Sequence, residues 1–457
     1  MYQVISFDLN NGIAASGIIP WNVPEDLSHF LVLTKTAPNG QKNAVIMGAR
    51  TWNTTPYFND RINIVLTTGK TPLIIKSSTP YRVNSLKSAQ KLAQDLDVFR
   101  IFIIGGAQVI KEAKNSSGVE GSFITRVEAD FSCDTFLDDN FDPDDDLISL
   151  PFISNNIPVK FVYQGNPDLY QKKEEWKYLN LLWNVIKNGE IRQTRNGQTR
   201  SIFSADLSFP LDRFPLLTTK KMFLTGILEE LLFFLRGETN TQKLSEKGVH
   251  IWEANTNQEF LDKLELNYSQ GEMGPMYGYQ WRSYNKPFQS SEGGIDTLAN
   301  LIENLCTDPN SRRHIITTLN MNQVNEGVLW PCHGLVIQFY VSGDSKLSCK
   351  MYQRSADIFL GMPFNIASYA ALVHVISKIV TNRGYPMTPG NLYLSFGDVH
   401  IYESHIQPAI QQLIRPPFDF PIMKLNTNAI QVEDLTVDDF QLSEYTCYPK
   451  ISAPIVA

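Results

Sequence analysis

The chain has 457 residues, enough for two or three domains, with 43% hydrophobic and 19% charged side chains, the balance of a soluble globular protein. Its formal charge of −7 argues against a broad nucleic-acid surface, which needs clustered Lys and Arg. No apolar run reads as a membrane span, the N-terminal MYQVISFDL has the features of neither a secretory nor an import leader, and five unevenly spaced cysteines make no disulfide framework, so reduced thiols in a cytoplasmic setting are expected.

Over residues 1–166, the β-rich runs YQVISFDL, NAVIMG, INIVLTT, FRIFIIGG and SFITRVEA alternate with predicted helices at 24–35, 85–97 and 106–114. Such alternation predicts an α/β domain with a mostly parallel central sheet. Asp26, in IIPWNVPEDLSHF, sits at a Pro-bounded helix start, where a carboxylate ordinarily serves as a cap or dipole partner. Its neighbours Trp21, Leu27 and Phe30 also suit a flat heterocycle. Gly105 and Gly106 follow an apolar strand and open a helix, which is either a plain turn or a close approach for a pyrophosphate. The acidic run DDNFDPDDD at 138–146 reads as a solvated loop, and ISLPFISNN and VKFVYQG as two further strands. Turn signals followed by charges in NPDLYQKKEE place a short join at 167–175.

Residues 176–457 read as an α+β domain with a large sheet. It opens on the helical WKYLNLLWNVIKNG, followed by an apolar helix at 222–236, strands at 314–320, 334–341 and 346–352, and a buried helix at 366–380. Glu230 lies in FLTGILEELLFFLRG, apolar nearly all round, where a buried carboxyl can move protons near neutrality. Glu229 projects about 100° away and need not share that role. Cys332 lies in LWPCHGLVIQFYV; a Cys beside an apolar strand is ordinarily a small buried hydrophobe. MYQRSADIFLGMPFNIASY then places Arg354, Ser355, Asp357 and Asn365 on a second strand and the turn after it. A pure core would not hold those polar groups without partners. A nucleophilic thiol needs positive charge nearby, and Arg354 could supply it.

WPCH, YQRSADIFLGMPFNIASY and GDVHIYESH, with FPLLTTKK, EELLFFLRGETN, GPMYGYQWR and DPNSRRHIITTLN, resemble thymidylate synthase, in that family's order from about Trp176 to the C-terminus. The resemblance implies Cys332 as nucleophile toward carbon 6 of dUMP. Arg195, Arg354, Ser355 and the Arg312–Arg313 pair would hold the phosphate, the pair reaching from the second subunit of a homodimer. Asn365 would read the uracil edge, and His400 and Tyr402 the ribose hydroxyl. Glu230, Tyr277, Trp252 and His333 would form a proton and water network, and Lys220, Asp357 and Gly361 would contact 5,10-methylenetetrahydrofolate. Trp330 departs from the family's small residue or proline before Pro331.

Over roughly residues 1–165, IIPWNVPEDLSHF, VIMGARTW, DRINIVLTT, FIIGGAQV and ITRVEADFSCDTF resemble dihydrofolate reductase. Asp26 would then bind and help protonate the pterin of dihydrofolate, with Trp21, Phe30 and Thr125 lining the pocket and Arg61 pairing with the folate α-carboxylate. Gly48, Arg50, Thr51, Thr67, Gly105 and Gly106 would hold NADPH. Ala49, Ala107 and Ile110 depart from the residues common at those positions. Together the two resemblances imply a bifunctional enzyme of dTMP biosynthesis that takes small molecules, without a metal and with no membrane or nucleic-acid role.

Overall fold

The computed structural model describes residues 1–114, 116–137, 141 and 145–456. They fall into two compact units: Met1–Lys173 with Gln407–Phe418 and Thr446–Ile451, and Glu174–Ile406 with Asp419–Tyr445 and the residues from Ser452 on.

The first unit is built on an eight-stranded sheet, in the order Tyr81–Val83, Arg61–Leu66, Asn43–Gly48, Ile101–Gly105, Tyr2–Phe7, Gly121–Val127, Ile157–Gly165 and Ile148–Ser154. The first six run parallel, and the last two form an antiparallel hairpin on one edge. Burial on both faces explains why Asn43–Gly48 reads as a continuous apolar run, with Ala44 to Met47 fully buried. The predicted helices correspond to Pro24–Lys35, Leu86–Asp95 and Ala107–Lys114. Ser85 caps the second by accepting from the Ser88 N–H.

Two readings of this half change. Residues 138–140 and 142–144 of the acidic run lie outside the described residues, but Asp146 at its end is no solvated charge. Its side chain is 7% exposed, pairs with Arg126 at 2.7 Å and accepts from Gln164 at 2.8 Å. The expected join at 167–175 is also folded: Asp168–Gln171 is helical, and Tyr170 and Glu175 are completely buried.

The second unit carries a six-stranded mixed sheet, ordered Glu190–Thr194, Gly197–Pro210, Thr388–Tyr402, Lys346–Asp357, Val336–Val341 and Ile315–Ile316. The predicted strand at 314–320 shrinks to Ile315–Ile316, because the Thr317 and Thr318 hydroxyls turn to the Leu335, His333 and Gly334 carbonyls. Ile337, Phe339, Cys349, Met351, Leu392 and Leu394 bury one face of the sheet. Helix Gly361–Asn382 packs beside the two central strands; it is long and apolar enough to cross a membrane, and 78% of its most apolar stretch is buried inside the protein. It begins five residues before the predicted start, so GMPFN is its first turn and not a loop. Pro363 is tolerated there because the first N–H groups of a helix have no intrahelical partner.

Candidate active sites

In the first unit, helix Pro24–Lys35 presents Asp26 to strand Gly121–Val127, where Thr125 Oγ1 donates to Asp26 Oδ1 at 2.6 Å. Burial raises the Asp26 pKa, and Thr125, Ser6 and Trp21 oppose the rise. A carboxyl so placed can exchange a proton with a bound ring. Trp21 is buried, and Phe30 meets Phe58 edge-on at 5.5 Å. Ile19, Leu27 and Leu31, beside Asp26 in sequence, remain 54%, 60% and 41% exposed, an apolar rim of which the sequence reading named only Leu27.

Arg61 is buried with its fork fixed by three acceptors: Nε donates to Thr34 Oγ1 at 3.0 Å, Nη1 to the Asn59 carbonyl at 3.1 Å and Nη2 to the Leu31 carbonyl at 2.8 Å. A guanidinium has five N–H groups, so two stay available to a carboxylate.

Neighbouring parallel strands end at Gly48 and Gly105, with Met47 opposite Gly105. The Gly105–Gly106 peptide is cis. A Cβ on Gly106 would stand 3.2 Å from Thr51 Oγ1, and one on Gly48 3.4 Å from Val109, so side chains would fill this cradle. The glycines therefore fit the close approach of a dinucleotide's pyrophosphate. Thr67 accepts from the Gly69 N–H at 3.1 Å, and Arg50 is exposed. Of the departures, Ala49 is buried, while Ile110 and Ala107 pack with Ile5, Phe7, Leu137 and Phe141.

In the second unit, Cys332 precedes strand Val336–Val341, and the Arg354 N–H donates to its carbonyl at 2.9 Å. The Tyr277 hydroxyl stands 3.4 Å from Cys332 Sγ and accepts from the Cys332 N–H at 3.3 Å. Tyr277 is stacked between His333, at 4.5 Å, and Phe234, at 5.0 Å. His333 Nδ1 lies 2.9 Å from the Tyr369 hydroxyl, and burial lowers the His333 pKa to about 3, which keeps the ring neutral. Glu230 accepts from Trp252 Nε1 at 2.7 Å, and burial pushes it up to about 7. Glu229 instead pairs with Lys247 at 2.6 Å, so the adjacent carboxylates divide as helix periodicity requires.

Arg354 anchors the strand on the thiol's segment, donating from Nε to the Pro331 carbonyl at 2.8 Å and from Nη2 to the Trp330 carbonyl at 2.9 Å. Its charge does not by itself make Cys332 a thiolate: burial raises the thiol's pKa, with Tyr277 and then Arg354 opposing. Asn365 is buried and its Oδ1 accepts from Gln353 Nε2 at 3.1 Å, which leaves its own amide N–H groups for another acceptor. His400 Nδ1 is 2.7 Å from Asp398 Oδ1, and Tyr402 packs edge-on against His400 at 5.5 Å.

Asp357 accepts from the Phe359 and Leu360 N–H groups just before Gly361, and the buried Lys220 donates to the Phe359 carbonyl. Ser355 lies beside Arg354 on the same strand. Arg195 occupies the hairpin turn after Glu190–Thr194, whereas Arg192 pairs with Asp398 at 3.3 Å. Arg312 and Arg313 are exposed, and among the described residues no side-chain contact joins them to Cys332. Trp330 is 47% exposed and donates to Asn325 at 3.1 Å. Gln353, bonded to Asn365, and Asp398, beside His400, are residues that the sequence reading passed over, although both stand inside quoted motifs.

The sequence profile of dihydrofolate reductase matches residues 1–146, and that of thymidylate synthase residues 176–457. The bifunctional dihydrofolate reductase-thymidylate synthase 1 of Arabidopsis thaliana is 34% identical, covering 98% of this chain and 95% of its own. The Leishmania major bifunctional enzyme is likewise 34% identical, over 98% of this chain and 93% of its own, and that of Daucus carota is 35% identical over 98% and 94%. With two sites of this construction in this order, the chain belongs to the bifunctional dihydrofolate reductase–thymidylate synthase family.

Proposed function

We propose that Cys332 and Asp26 are the reacting centres of the chain's two activities, reductive methylation of dUMP to dTMP and reduction of dihydrofolate to tetrahydrofolate. The carrying observation is the Tyr277–Cys332 contact set beside the Glu230–Trp252 pair, a nucleophile and a proton carrier tuned near neutrality in one buried cluster. When bound, 5,10-methylenetetrahydrofolate supplies the one-carbon unit and a hydride, and NADPH supplies the hydride for the reductase.

Cys332 Sγ adds to carbon 6 of dUMP, so that carbon 5 becomes nucleophilic, and leaves again when dTMP is complete. Glu230, through Trp252, Tyr277 and His333, exchanges protons with the pyrimidine. Asn365, oriented by Gln353, reads the uracil amide edge. Arg195, Arg354 and Ser355 hold the phosphate, and His400 and Tyr402 the ribose. Lys220, Asp357 and Gly361 meet the folate. In the reductase, Asp26 binds the pterin edge beside Trp21, Phe30 and Thr125, and Arg61 takes the folate carboxylate. Gly48, Arg50, Thr51, Thr67, Gly105 and Gly106 cradle NADPH.

We infer a homodimer through the sheet of the second unit, with Arg312 and Arg313 serving the partner's phosphate site. The supporting observation is the sheet's uncovered face. Ile315, Gln338, Lys350 and Tyr393 form one exposed cross-strand row, and Val336 and Tyr352 lie opposite each other in the next. The exposed Ile315, Tyr393, Val336 and Tyr352, interspersed with Gln338 and Lys350, are the kind of clustered apolar side chains that mark an interaction surface. A reducing, cytoplasmic setting accords with five free cysteines, including the proposed nucleophile.

The test is separability. Cys332→Ser should end dTMP formation and leave NADPH-dependent dihydrofolate reduction intact; Asp26→Asn should do the reverse. Loss of both activities in a folded single variant would sink the assignment.

A further inference from the structure

We propose that Glu175 is a positioning residue for the folate side of the synthase site, a buried clamp that sets where Lys220 meets the segment Asp357–Gly361. The proposal rests on the reading of Lys220, Asp357 and Gly361 as folate residues.

Glu175 stands in the charged stretch QKKEE, yet it is completely buried. Four donors converge on it. Oε2 accepts from the Thr218 N–H at 2.7 Å and from the Thr218 hydroxyl; Oε1 accepts from the Thr219 N–H at 3.0 Å and from the Thr219 hydroxyl. Thr218 and Thr219 are themselves fully buried, and the next residue is Lys220. Lys220 Nζ donates to the Phe359 carbonyl and lies 3.8 Å from the centroid of that ring. Phe359 is fixed from the other side by Asp357, which also holds Leu360, the residue before helix Gly361–Asn382. Three residues after Glu175, the buried Tyr178 hydroxyl donates to the Ile358 carbonyl at 3.0 Å. One short stretch of chain therefore grips both segments that carry the folate residues.

The choice of a carboxylate has a geometric reason. Burying a charge is costly, and an apolar side chain of similar volume commonly serves stability as well or better. What a carboxylate alone provides here is acceptance from all four donors, two of them backbone N–H groups that cannot reverse. In Glu175→Gln one oxygen becomes an NH₂ that confronts a backbone N–H, donor against donor, while the neighbouring hydroxyl can rotate to accept. The backbone at 218–219 must then shift, and Lys220 shifts with it. Displacement of a positioning group by about 1 Å can cost up to about a hundredfold in rate.

The experiment uses the full-length chain with Glu175→Gln, Glu175→Asp, Tyr178→Phe and Lys220→Met. Amide hydrogen exchange of the free enzyme is followed at Thr218 and Thr219, dUMP binding by calorimetry, and the Michaelis constants for both substrates by steady-state kinetics. Glu175→Gln should speed exchange at both threonines and raise the KM for methylenetetrahydrofolate by about tenfold or more. Its dUMP affinity should stay within about twofold, and dihydrofolate reduction should be unchanged; Tyr178→Phe should move the folate constant the same way by less. Equal losses toward dUMP and folate, or an unchanged folate constant, would overturn the proposal. Lys220→Met separates the two levels. If it leaves the folate constant unchanged, the reading of Lys220 fails; if it raises the constant while Glu175→Gln does not, only the clamp fails. Should Glu175→Gln not fold, Glu175→Asp and Tyr178→Phe decide by the same criteria.

Discussion

Trp252 donates its indole N–H to Glu230 at 2.7 Å, and both side chains are buried. Burial outweighs that hydrogen bond and lifts the carboxyl from an ordinary 4.5 to about 7. A proton carrier tuned near the working pH is the most effective one. We expect the pH profile of synthase kcat/KM to show an inflection near 7 that Glu230→Gln removes, together with most of the activity. Stability carries the same signature. The native protein keeps a proton that the unfolded chain gives up above about 4.5, so the raised pKa contributes fully below that value. The contribution, on the order of 3 kcal/mol, is lost as pH rises through about 7. Glu230→Gln, neutral throughout, should lack this decline in urea denaturation between pH 5 and 8; a parallel decline would assign it to another group.

Thr125 is the first of three side chains, with Ser6 and Trp21, that favour the ionised form of Asp26 against the burial that opposes it. Thr125→Val should therefore raise the Asp26 pKa further. If Asp26 must be protonated to deliver its proton, the alkaline limb of the reductase profile should move to higher pH by about one unit. A limb that stays in place, or moves down, would mean that Thr125 shapes the pocket without setting the charge of Asp26.

Much of this was readable from the chain, for reasons that individual residues make plain. Helix Pro24–Lys35 announces itself through Pro at its first turn, and the parallel strands through uninterrupted apolar runs. The long strands Gly197–Pro210 and Thr388–Tyr402 were not read. Ser204, at φ 69° and unpaired, interrupts the alternation of the first, and the adjacent buried Phe396 and Gly397 put the second out of phase halfway along. The pair of glutamates at 229 and 230 could be told apart only in principle by helix phase, and Lys247 settles which one faces out. Glu175 was invisible because its partners lie more than 40 residues downstream and its sequence neighbours are charged. Local pattern reports a residue's surroundings only where the surroundings are local.

Arg61 offers a sharper test of the reductase pocket. Three of its N–H groups are committed to Thr34, Asn59 and Leu31, and the planar fork fixes the direction of the other two. Arg61→Lys keeps the charge but loses the fork. The KM for dihydrofolate should rise by about tenfold to a hundredfold with little change in the KM for NADPH, since a bidentate charge-assisted pair is replaced by a point contact. An equal rise for both substrates would point to collapse of the pocket and not to loss of a carboxylate partner.

The uncovered sheet face leads to a prediction about subunits. Val336 and Tyr352 lie opposite each other on neighbouring strands, 46% and 40% exposed, and Arg312 and Arg313 precede the edge strand Ile315–Ile316. Sedimentation should give twice the 51.8 kDa chain mass. Tyr352→Glu puts a charge into the face, and a buried unpaired charge at an interface is strongly unfavourable. That variant should dissociate and lose dTMP formation while still reducing dihydrofolate. The arginines are probed by complementation. A double Arg312→Ala, Arg313→Ala chain keeps Cys332 but lacks the pair, and a Cys332→Ser chain keeps the pair but lacks the thiol. Each alone should be nearly inactive as a synthase. Mixed under conditions that exchange subunits, they should regain activity, because one site of each hybrid then combines an intact Cys332 with the partner's arginines. No recovery from hybrids shown to form would place the arginines' action within their own subunit.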